Sequence, residues 1–232
     1  MQLCPQESDL HSTSTIPEPT DLSGVPPDYH DFANVFSKSK ADTLAPHCEY
    51  NLKINLEDST SSPLEATYSL SSSQLGSLHE FLDEHLTMGF IRPSSSAHAA
   101  LVLFVCKKDS SLCLCVNFRG LNKITKNDRY PLPYISDLLD APSHTKVYTK
   151  INLQHAYHLV CIANRDKWKT SFWMCYGSYE WLVMSFGLTN TLAAFQRFIN
   201  TVFADLLDVC VIVYLDDILI YSVDMTSHKK HV

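Results

Sequence analysis

The sequence predicts an α+β fold in which an antiparallel sheet carries helices on one face. Residues 208–222 contain two runs of β-branched and large apolar residues around an acidic break, which is the pattern of a β-hairpin. Residues 100–105 and 112–118 form a second pair of strand-like runs. Apolar side chains recur at helical spacing within residues 75–86 and 195–206. Hairpins combined with separate amphipathic helices are typical of the α+β class.

The composition is that of a globular protein with a substantial core. The chain has 232 residues, of which 45% are hydrophobic, and this length suits one or two domains. Its formal net charge of −7 argues against tight nucleic-acid binding by the chain as a whole, because phosphate contacts need basic side chains. An acidic protein can still carry a local basic patch. Its candidate members are Lys107, Lys108, Arg119, Lys123, Lys126 and Arg129.

The cysteines and the N-terminal residues indicate a reducing compartment. None of the eight cysteines has the spacing of a metal site; Cys113 and Cys115 would share one face of a strand, but no second pair follows. The first residues lack the basic start and apolar core of a signal peptide. No window reaches the roughly 18 apolar residues of a membrane span. We therefore expect a cytoplasmic or nuclear protein that is not secreted and has no membrane partner.

Three regions are predicted along the chain. Residues 1–27 are rich in Pro, Ser and Thr without periodicity, which predicts a disordered leader. Residues 28–70 form an upstream segment, with a short helix at 28–40 and a first strand at 50–56. Residues 71–232 carry the remaining elements and form the main domain.

Cap and turn residues set the predicted boundaries in the main domain. Ser71 and Gln74 have the form of a capping box, and Gly89 is placed to end the helix that they begin. Asn190 or Thr191 is predicted to cap a later helix. Further elements are strands at 147–153, 157–162, 170–176 and 179–183, a hairpin turn at Gly177-Ser178, and a short helix at 134–140.

The four residues Tyr214-Leu-Asp-Asp217 have the Tyr-x-Asp-Asp form of the palm motif of reverse transcriptases. With residues 213–222 around them, they resemble the reverse transcriptases of gypsy-class LTR retrotransposons, the Metaviridae. Further blocks agree in order and spacing, at Arg119-Gly-Leu-Asn122, at Tyr130-Pro-Leu-Pro133 and from Met184 to Gln196. The resemblance runs from about Val25 to the last residue. It implies a palm built on the antiparallel sheet, an incomplete fingers subdomain, and descent from an RNA-directed DNA polymerase.

The resemblance also implies a catalytic and metal-binding site at Asp216, Asp217 and position 152. In the family an Asp at that position bridges two Mg²⁺ ions, but here it is Asn152, whose neutral amide cannot bridge two cations as a carboxylate does. If losing one of about three negative charges removes roughly 4 kcal/mol of transition-state stabilisation, the rate falls on the order of 10³-fold. The alternative is a harmless variant that binds metal with Asp216 and Asp217 alone.

Five nucleotide-binding positions follow from the same resemblance. They are Lys107, Cys113, Tyr157, Phe186 and Gln196. Cys113 is a degraded position, because the family has there an Arg whose charged fork contacts the triphosphate. Lys107 remains as a phosphate contact. Tyr157 stands either at the steric gate against the ribose 2′-OH or as a packed aromatic beside the sheet.

Compared with the family, the chain is expected to lack the rest of the palm, the thumb and RNase H. An apolar face of the palm would then be open to a protein partner. Three hypotheses result. The first is a reverse-transcriptase domain that is inactive or severely impaired and binds RNA/DNA primer–template and dNTP weakly or not at all. The second is a non-catalytic nucleic-acid-binding or protein-interaction module that reuses the palm. The third is an active polymerase completed by a partner chain.

Overall fold

The computed structural model describes residues 22–57, 70–106 and 112–232 of the chain. Contacts between Cα atoms divide the chain into two units, Met1–Lys40 and Ala41–Val232. In the first unit a 3₁₀ helix spans Pro27–Phe36, with proline at its start and a kink at Phe32. It lies where the sequence predicted a short helix. Most of the predicted leader at 1–27 lies outside the described residues, and the predicted boundaries at 27 and 70 stay predictions.

The described residues form six α-helices and eight strands. The α-helices are α1 (Lys38–Ala41), α2 (Ser72–Thr87), α3 (Arg119–Ile124), α4 (Ile135–Asp140), α5 (Thr191–Val202) and α6 (Met225–His231). The strands are β1 (Ile91–Pro93), β2 (Ala100–Cys106), β3 (Leu112–Asn117), β4 (Val147–Asn152), β5 (Phe172–Met174), β6 (Gly177–Trp181), β7 (Val211–Tyr214) and β8 (Asp217–Ser222). Two 3₁₀ helices span Ala156–Leu159 and Lys167–Thr170. Within the described ranges no helix is long and apolar enough to cross a membrane.

The larger sheet has five strands in the order β1-β6-β5-β2-β3. Its neighbours are antiparallel, except that β2 and β5 run parallel. Helix α2 packs against both edge strands, β1 and β3. The helix begins at the predicted capping box, in which Ser71 Oγ accepts the Gln74 N–H and the Gln74 side chain accepts the Ser71 N–H. It ends before Gly89, whose φ of +71° is the left-handed conformation that glycine adopts without strain.

The smaller sheet is wholly antiparallel, in the order β4-β8-β7. On one face, cross-strand partners such as Ile151 and Ile218 point toward the core, and α6 docks there through His228. The His228 ring bonds the Thr149 hydroxyl at 2.7 Å and the Ser222 hydroxyl at 2.9 Å. The opposite face ends in Asn152, because side chains alternate along a strand. The predicted α+β fold, with a sheet that carries helices on one face, is therefore confirmed.

The prediction of strands at 50–56 and 157–162 is wrong, because neither segment pairs with a neighbour over several consecutive residues. Residues 50–56 alternate as predicted, and Leu52 and Ile54 are buried. The segment nevertheless forms only isolated bridges, from Leu52 to Ile162 and from Leu56 to Thr125, so no ladder is built. Residues 157–162 begin in the 3₁₀ helix Ala156–Leu159 instead of a strand, after a left-handed residue at position 155.

Two predicted hairpins exist, but their turns lie earlier than the sequence indicated. In the β5–β6 hairpin Met174 pairs with Gly177, so the turn is Cys175-Tyr176 and not Gly177-Ser178. In the β7–β8 hairpin Tyr214 pairs with Asp217. The second turn therefore consists of residues 215 and 216, and Asp217 is the first residue of a strand.

Candidate functional site

The β7–β8 turn brings the two adjacent carboxylates next to β4. Asn152 and Asp217 are direct cross-strand partners at the ends of β4 and β8. The Leu153 N–H donates to the Asp216 carbonyl at 3.0 Å, which ties the turn to the end of β4. Leu215 has a φ of +55°, a conformation that costs a residue with a β-carbon roughly 1–2 kcal/mol. The turn therefore needs support from its surroundings.

That support comes from Gln196, a fully buried residue of α5. Its Oε1 accepts the Leu215 N–H at 2.9 Å, and its Nε2 donates to the Val213 carbonyl at 3.3 Å and to Asn200 Oδ1 at 2.8 Å. All its polar atoms are thus satisfied, as a buried amide requires. The predicted nucleotide contact of Gln196 stays a prediction; the structure shows the residue beneath the turn, where it holds the backbone.

Four side chains form what we call the tip network: Lys150, Asn152, Asp216 and Asp217. The Asn152 amide Nδ2 donates to Asp217 Oδ1 at 2.9 Å and lies 3.4 Å from Asp216 Oδ2. Lys150 Nζ lies 3.0 Å from Asp217 Oδ1. The hydrogen bond from Asn152, followed by the Lys150 ammonium, lowers the pKa of Asp217. The side chains of Lys150 and Asp217 are 63% and 47% exposed, so water screens their attraction.

An aromatic wall stands beside the tip network. The Tyr157 ring meets Phe186 edge-on at 4.9 Å between ring centroids and Phe195 at 5.4 Å. Burial, and then the negative charge of Asp216, raises the pKa of Tyr157, which shows that the phenol lies within electrostatic reach of the turn. Phe186 is 70% exposed. The predicted residues Tyr157, Phe186 and Asp216 are therefore brought together.

The loop that carries Phe186 is fixed by Asn122, which the sequence analysis did not assign to the site. Asn122 Nδ2 donates to the Gly187 carbonyl at 2.6 Å, and its Oδ1 accepts the Thr189 N–H at 2.9 Å. Gly187 has a φ of +92°, and a β-carbon added there would lie 3.5 Å from the Val116 carbonyl. Lys150 was also missed, although it lies two residues before Asn152 and so on the same face of β4.

Of the other two predicted positions, Cys113 is described by the structure and is not brought to the tip network. Cys113 lies on β3 in the larger sheet, opposite Val105, and its Sγ donates to the Leu114 carbonyl at 3.8 Å. Burial, and then the neighbouring Cys113, raises the pKa of Cys115, so this thiol is held in its neutral form. Lys107 lies outside the described residues, so its predicted phosphate contact stays a prediction.

The donor set at the turn does not fit a pair of Mg²⁺ ions. Such a pair needs anionic oxygens that bridge both cations, and Mg²⁺ takes hard oxygen ligands. Here the third position presents an amide N–H to the two carboxylates, and Lys150 already neutralises one of them. Among residues 22–57, 70–106 and 112–232 no three His, Cys, Asp or Glu side chains are arranged to hold a metal ion.

Sequence comparisons give relatives among retrotransposon polyproteins. The chain is 31% identical over 225 residues to the Transposon Tf2-3 and Tf2-7 polyproteins of Schizosaccharomyces pombe. Each match covers 97% of this chain, and the chain spans 17% of the length of each polyprotein.

Comparison of the fold gives solved reverse transcriptases. The foamy viral protease-reverse transcriptase in complex with RNA/DNA hybrid superposes with a TM-score of 0.69 at 19% identity, over 88% of this chain and 28% of that one. A second structure of the foamy viral enzyme, in complex with ds DNA, gives a TM-score of 0.64 at 18% identity, over 88% and 36%.

A family model decides the assignment. The model described as "Reverse transcriptase (RNA-dependent DNA polymerase)" matches residues 107–232, which is more than half of the chain and includes the turn, the aromatic wall and α5. The resemblance found in the Tyr-x-Asp-Asp motif is thereby confirmed. The chain belongs to the reverse transcriptase family.

Proposed function

We propose that this chain is a reverse-transcriptase domain of retrotransposon origin in which nucleotidyl transfer is abolished or severely impaired. The observation that carries the proposal is the Asn152 amide, which donates hydrogen bonds toward both Asp216 and Asp217 where a two-ion site needs an anion. An amide that donates to a carboxylate occupies the same lone pairs that a cation would use. The carboxylates of the turn thus have hydrogen-bond donors within the protein itself.

The size of the effect follows from charge. A two-ion polymerase site holds its cations with about three carboxylates, and one of the three is neutral here. A loss of roughly 4 kcal/mol of transition-state stabilisation corresponds to a rate on the order of 10³-fold lower. Lys150, at 3.0 Å from Asp217, further reduces the negative potential that a divalent ion would meet.

The nucleotide side of the proposed site is also weakened. Tyr157 and Phe186 supply the wall against which a sugar and base would pack. The triphosphate would depend on Lys107, because Cys113 replaces the guanidinium that family members use, and a thiol offers neither the charge nor the planar fork. We therefore propose that primer–template and dNTP bind weakly. The foamy viral enzymes that share this fold were solved with an RNA/DNA hybrid and with ds DNA.

Primer extension tests the proposal directly. The purified chain is given a primed RNA template, labelled dNTP and either Mg²⁺ or Mn²⁺, beside an Asp216→Asn variant as the background control. We expect incorporation by the wild-type chain to equal that of the control. Metal-dependent incorporation that Asp216→Asn abolishes would show that the amide is tolerated, and the proposal would be wrong.

A metal-binding measurement tests the cause separately from activity. Asn152→Asp should bind Mn²⁺ at least about tenfold more tightly than the wild-type chain in an electron paramagnetic resonance titration, because a third carboxylate then faces the ion. Asn152→Ala serves as the matched control and should bind like the wild type. Since Cys113 remains, we expect Asn152→Asp to bind metal without extending a primer. Equal Mn²⁺ affinity in all three proteins would exclude Asn152 as the cause.

A further inference from the structure

Two cysteines lie side by side on the outer face of the β2–β3 hairpin. Cys113 and Cys115 are two residues apart in β3, so their side chains leave the strand on the same face. Their cross-strand partners in β2 are Val105 and Leu103, and the ladder has no bulge along β3. The opposite face of the hairpin packs on the core through Val102. We call Cys113 and Cys115 together the thiol pair.

The thiol pair can be reached by a small ligand and has apolar neighbours. Both cysteines are half-buried, and both carry free thiols. Leu103 and Val105, directly opposite, are 39% and 52% exposed. Apolar surroundings limit the water that competes with the sulfurs for a ligand. The pair therefore favours a ligand that does not need to keep water molecules of its own.

The strand keeps the two sulfurs from bonding directly to each other. Residues two apart in a strand are separated by about 6.6–6.8 Å, and β-carbons on the same face keep that spacing. A disulfide needs its β-carbons about 3.5–4.5 Å apart, so closing one would pull β3 out of its ladder with β2. A single ion between the sulfurs has no such requirement. A metal–thiolate bond is about 2.3 Å long, so one ion spans about 4.6 Å, which two side chains leaning toward each other can reach.

The two thiols lie close enough to affect each other. Burial, and then the charge and hydrogen bonding of Cys113, raises the pKa of Cys115. Two thiolates side by side repel each other, so the pair resists losing both protons as long as no cation is present. A cation that bonds to both sulfurs removes this repulsion, and each thiol gives up its proton as the ion binds.

The number of available ligands selects the ion. Thiolates prefer soft ions, chiefly Cu(I), Zn²⁺ and the irons of iron–sulfur clusters. Structural Zn²⁺ takes four ligands, and iron–sulfur clusters are held by four cysteines. Within the described ranges no three His, Cys, Asp or Glu side chains are arranged around one ion, so these two classes do not fit the thiol pair. Cu(I) does fit, because two thiolates on opposite sides of the ion complete a linear site.

We infer that Cys113 and Cys115 form a two-coordinate site for Cu(I). Two S–H bonds break, two Cu–S bonds form, and both protons leave to solvent, so the S–Cu–S unit carries a net charge of −1 without any change of oxidation state. The absence of a second cysteine pair rules out a four-ligand site but not this one. The thiol pair lies on the larger sheet and outside the tip network, so the inference stands whether or not the chain polymerises.

Anaerobic titration of the whole chain with Cu(I), in competition with bicinchoninate, tests the inference. Cys113→Ser/Cys115→Ser should bind the tightest equivalent at least about a hundredfold more weakly than the wild type, because a lost direct ligand costs no less than a lost outer-shell partner. The matched control is Cys48→Ser/Cys175→Ser, which removes two exposed thiols elsewhere and should stay within about twofold of the wild type. Circular dichroism checks the fold, and each single variant at the thiol pair should show most of the loss. Equal affinity in the wild type and the Cys113→Ser/Cys115→Ser variant, or equal weakening by the control, would overturn the inference.

Two further measurements test the coordination. Because two protons leave, the affinity for Cu(I) should rise by about a hundredfold per pH unit between about pH 6 and 7.5, where free thiols are largely protonated. A rise of only about tenfold would mean that one thiol alone binds the ion, which would contradict the paired site. X-ray absorption at the copper edge should count two sulfur ligands at about 2.2–2.3 Å. Three or four sulfur ligands, or displacement of Cu(I) by an equal amount of Zn²⁺, would exclude the two-coordinate site.

Discussion

The tip network and a second polar cluster of the same domain solve the problem of packed polar groups in opposite ways. At the tip, hydrogen bonds join the Asn152 amide to the carboxylates, and the buried Gln196 has a partner for each of its polar atoms. What we call the histidine cluster consists of His85, His155 and His158 beside Trp181. Hydrogen bonds hold the tip network. Packed rings hold most of the histidine cluster, in which His85 Nδ1 also bonds the Phe81 carbonyl at 3.0 Å.

The histidine cluster carries an electrostatic cost that the tip network avoids. His158 is buried, and its Nδ1 has no hydrogen-bond partner in the part of the chain that the structure describes. Burial, then the charges of His85 and His155, lowers the pKa of His158 to about 4. The difference teaches that a polar group can be buried stably either by satisfying it or by keeping it neutral, and that the second way depends on pH.

The largest expected effect on stability comes from removing the hydrogen bonds of Gln196 beneath the turn. Gln196→Leu keeps roughly the volume but leaves the Leu215 N–H and the Val213 carbonyl without their partner, so it should cost about 2–4 kcal/mol of unfolding free energy. Urea denaturation measures it. Arg197→Ala, one residue further along α5, has an exposed ion pair with Asp128 and serves as the control, at about 1 kcal/mol or less. A loss below about 1 kcal/mol in Gln196→Leu would contradict the supporting role.

Acidification tests the histidine cluster, in which His158 is buried in its neutral form. The folded pKa of His158, about 4, lies below the usual value of about 6.5. The unfolded state therefore binds the proton more readily, and stability that is fully present above about pH 6.5 should fall by about 2–3 kcal/mol as the pH approaches 4. Burial also lowers the pKa of His85, which adds in the same direction.

The variant His158→Phe sharpens that test. Phenylalanine keeps the ring beside Trp181 and removes the titrating group, so the slope of unfolding free energy against pH should flatten between about 6.5 and 4. The remaining titratable neighbours of the cluster are Glu84, which lies 3.8 Å from His85, and Asp42, which lies 3.6 Å from His155. An unchanged slope in His158→Phe would assign the pH dependence to His85.

A smaller effect is expected from converting the tip network into a like-charge cluster. Asn152→Asp, measured with EDTA present, places a third carboxylate beside Asp216 and Asp217 and should cost about 1 kcal/mol or less, because the site is exposed. Thermal unfolding at low and high salt measures it, and the loss should shrink with salt. A stabilised variant without metal would show that the hydrogen bonds of the amide contribute nothing.

The smallest effect is expected from Lys150→Ala. The ion pair with Asp217 is exposed on both sides, and such pairs contribute about 0–1 kcal/mol. The pKa of Asp217 should rise toward its ordinary value when the ammonium is removed, and nuclear magnetic resonance titration of the carboxyl carbon detects that change. A larger stability loss than that of Gln196→Leu would reverse the order of the two.

Local features of the fold were predictable from the sequence, whereas pairings between distant segments were not. The capping box at Ser71 and the amphipathic helix α5 follow from residues within a few positions of each other, and both are confirmed. The position of the two hairpin turns depends on cross-strand register, which is set by packing of the whole sheet. For that reason Gly177-Ser178 was a plausible turn by composition but not the actual one.

The candidate site divides in the same way. The motif fixed the identities of Asp216, Asp217 and Asn152, but not the direction of the Asn152 amide, which depends on what else reaches the turn. The place of Lys150 follows from its spacing of two from Asn152, which puts both side chains on the same face of β4. The histidine cluster gave no signal, because His85 lies some seventy residues from His155 along the chain and only the fold brings them together.

The bond between the Leu153 N–H and the Asp216 carbonyl has a wider implication. This bond and the Gln196 side chain hold the backbone of the turn, and neither depends on whether the side chain at position 152 ends in a carboxylate or in an amide. Under the proposed loss of activity, the exchange of one carboxylate oxygen for an amide nitrogen would remove catalysis and leave the backbone of the turn unchanged. A comparison of backbones alone would place active and inactive members of the family in one group. Activity has to be judged from the side-chain atoms at the turn.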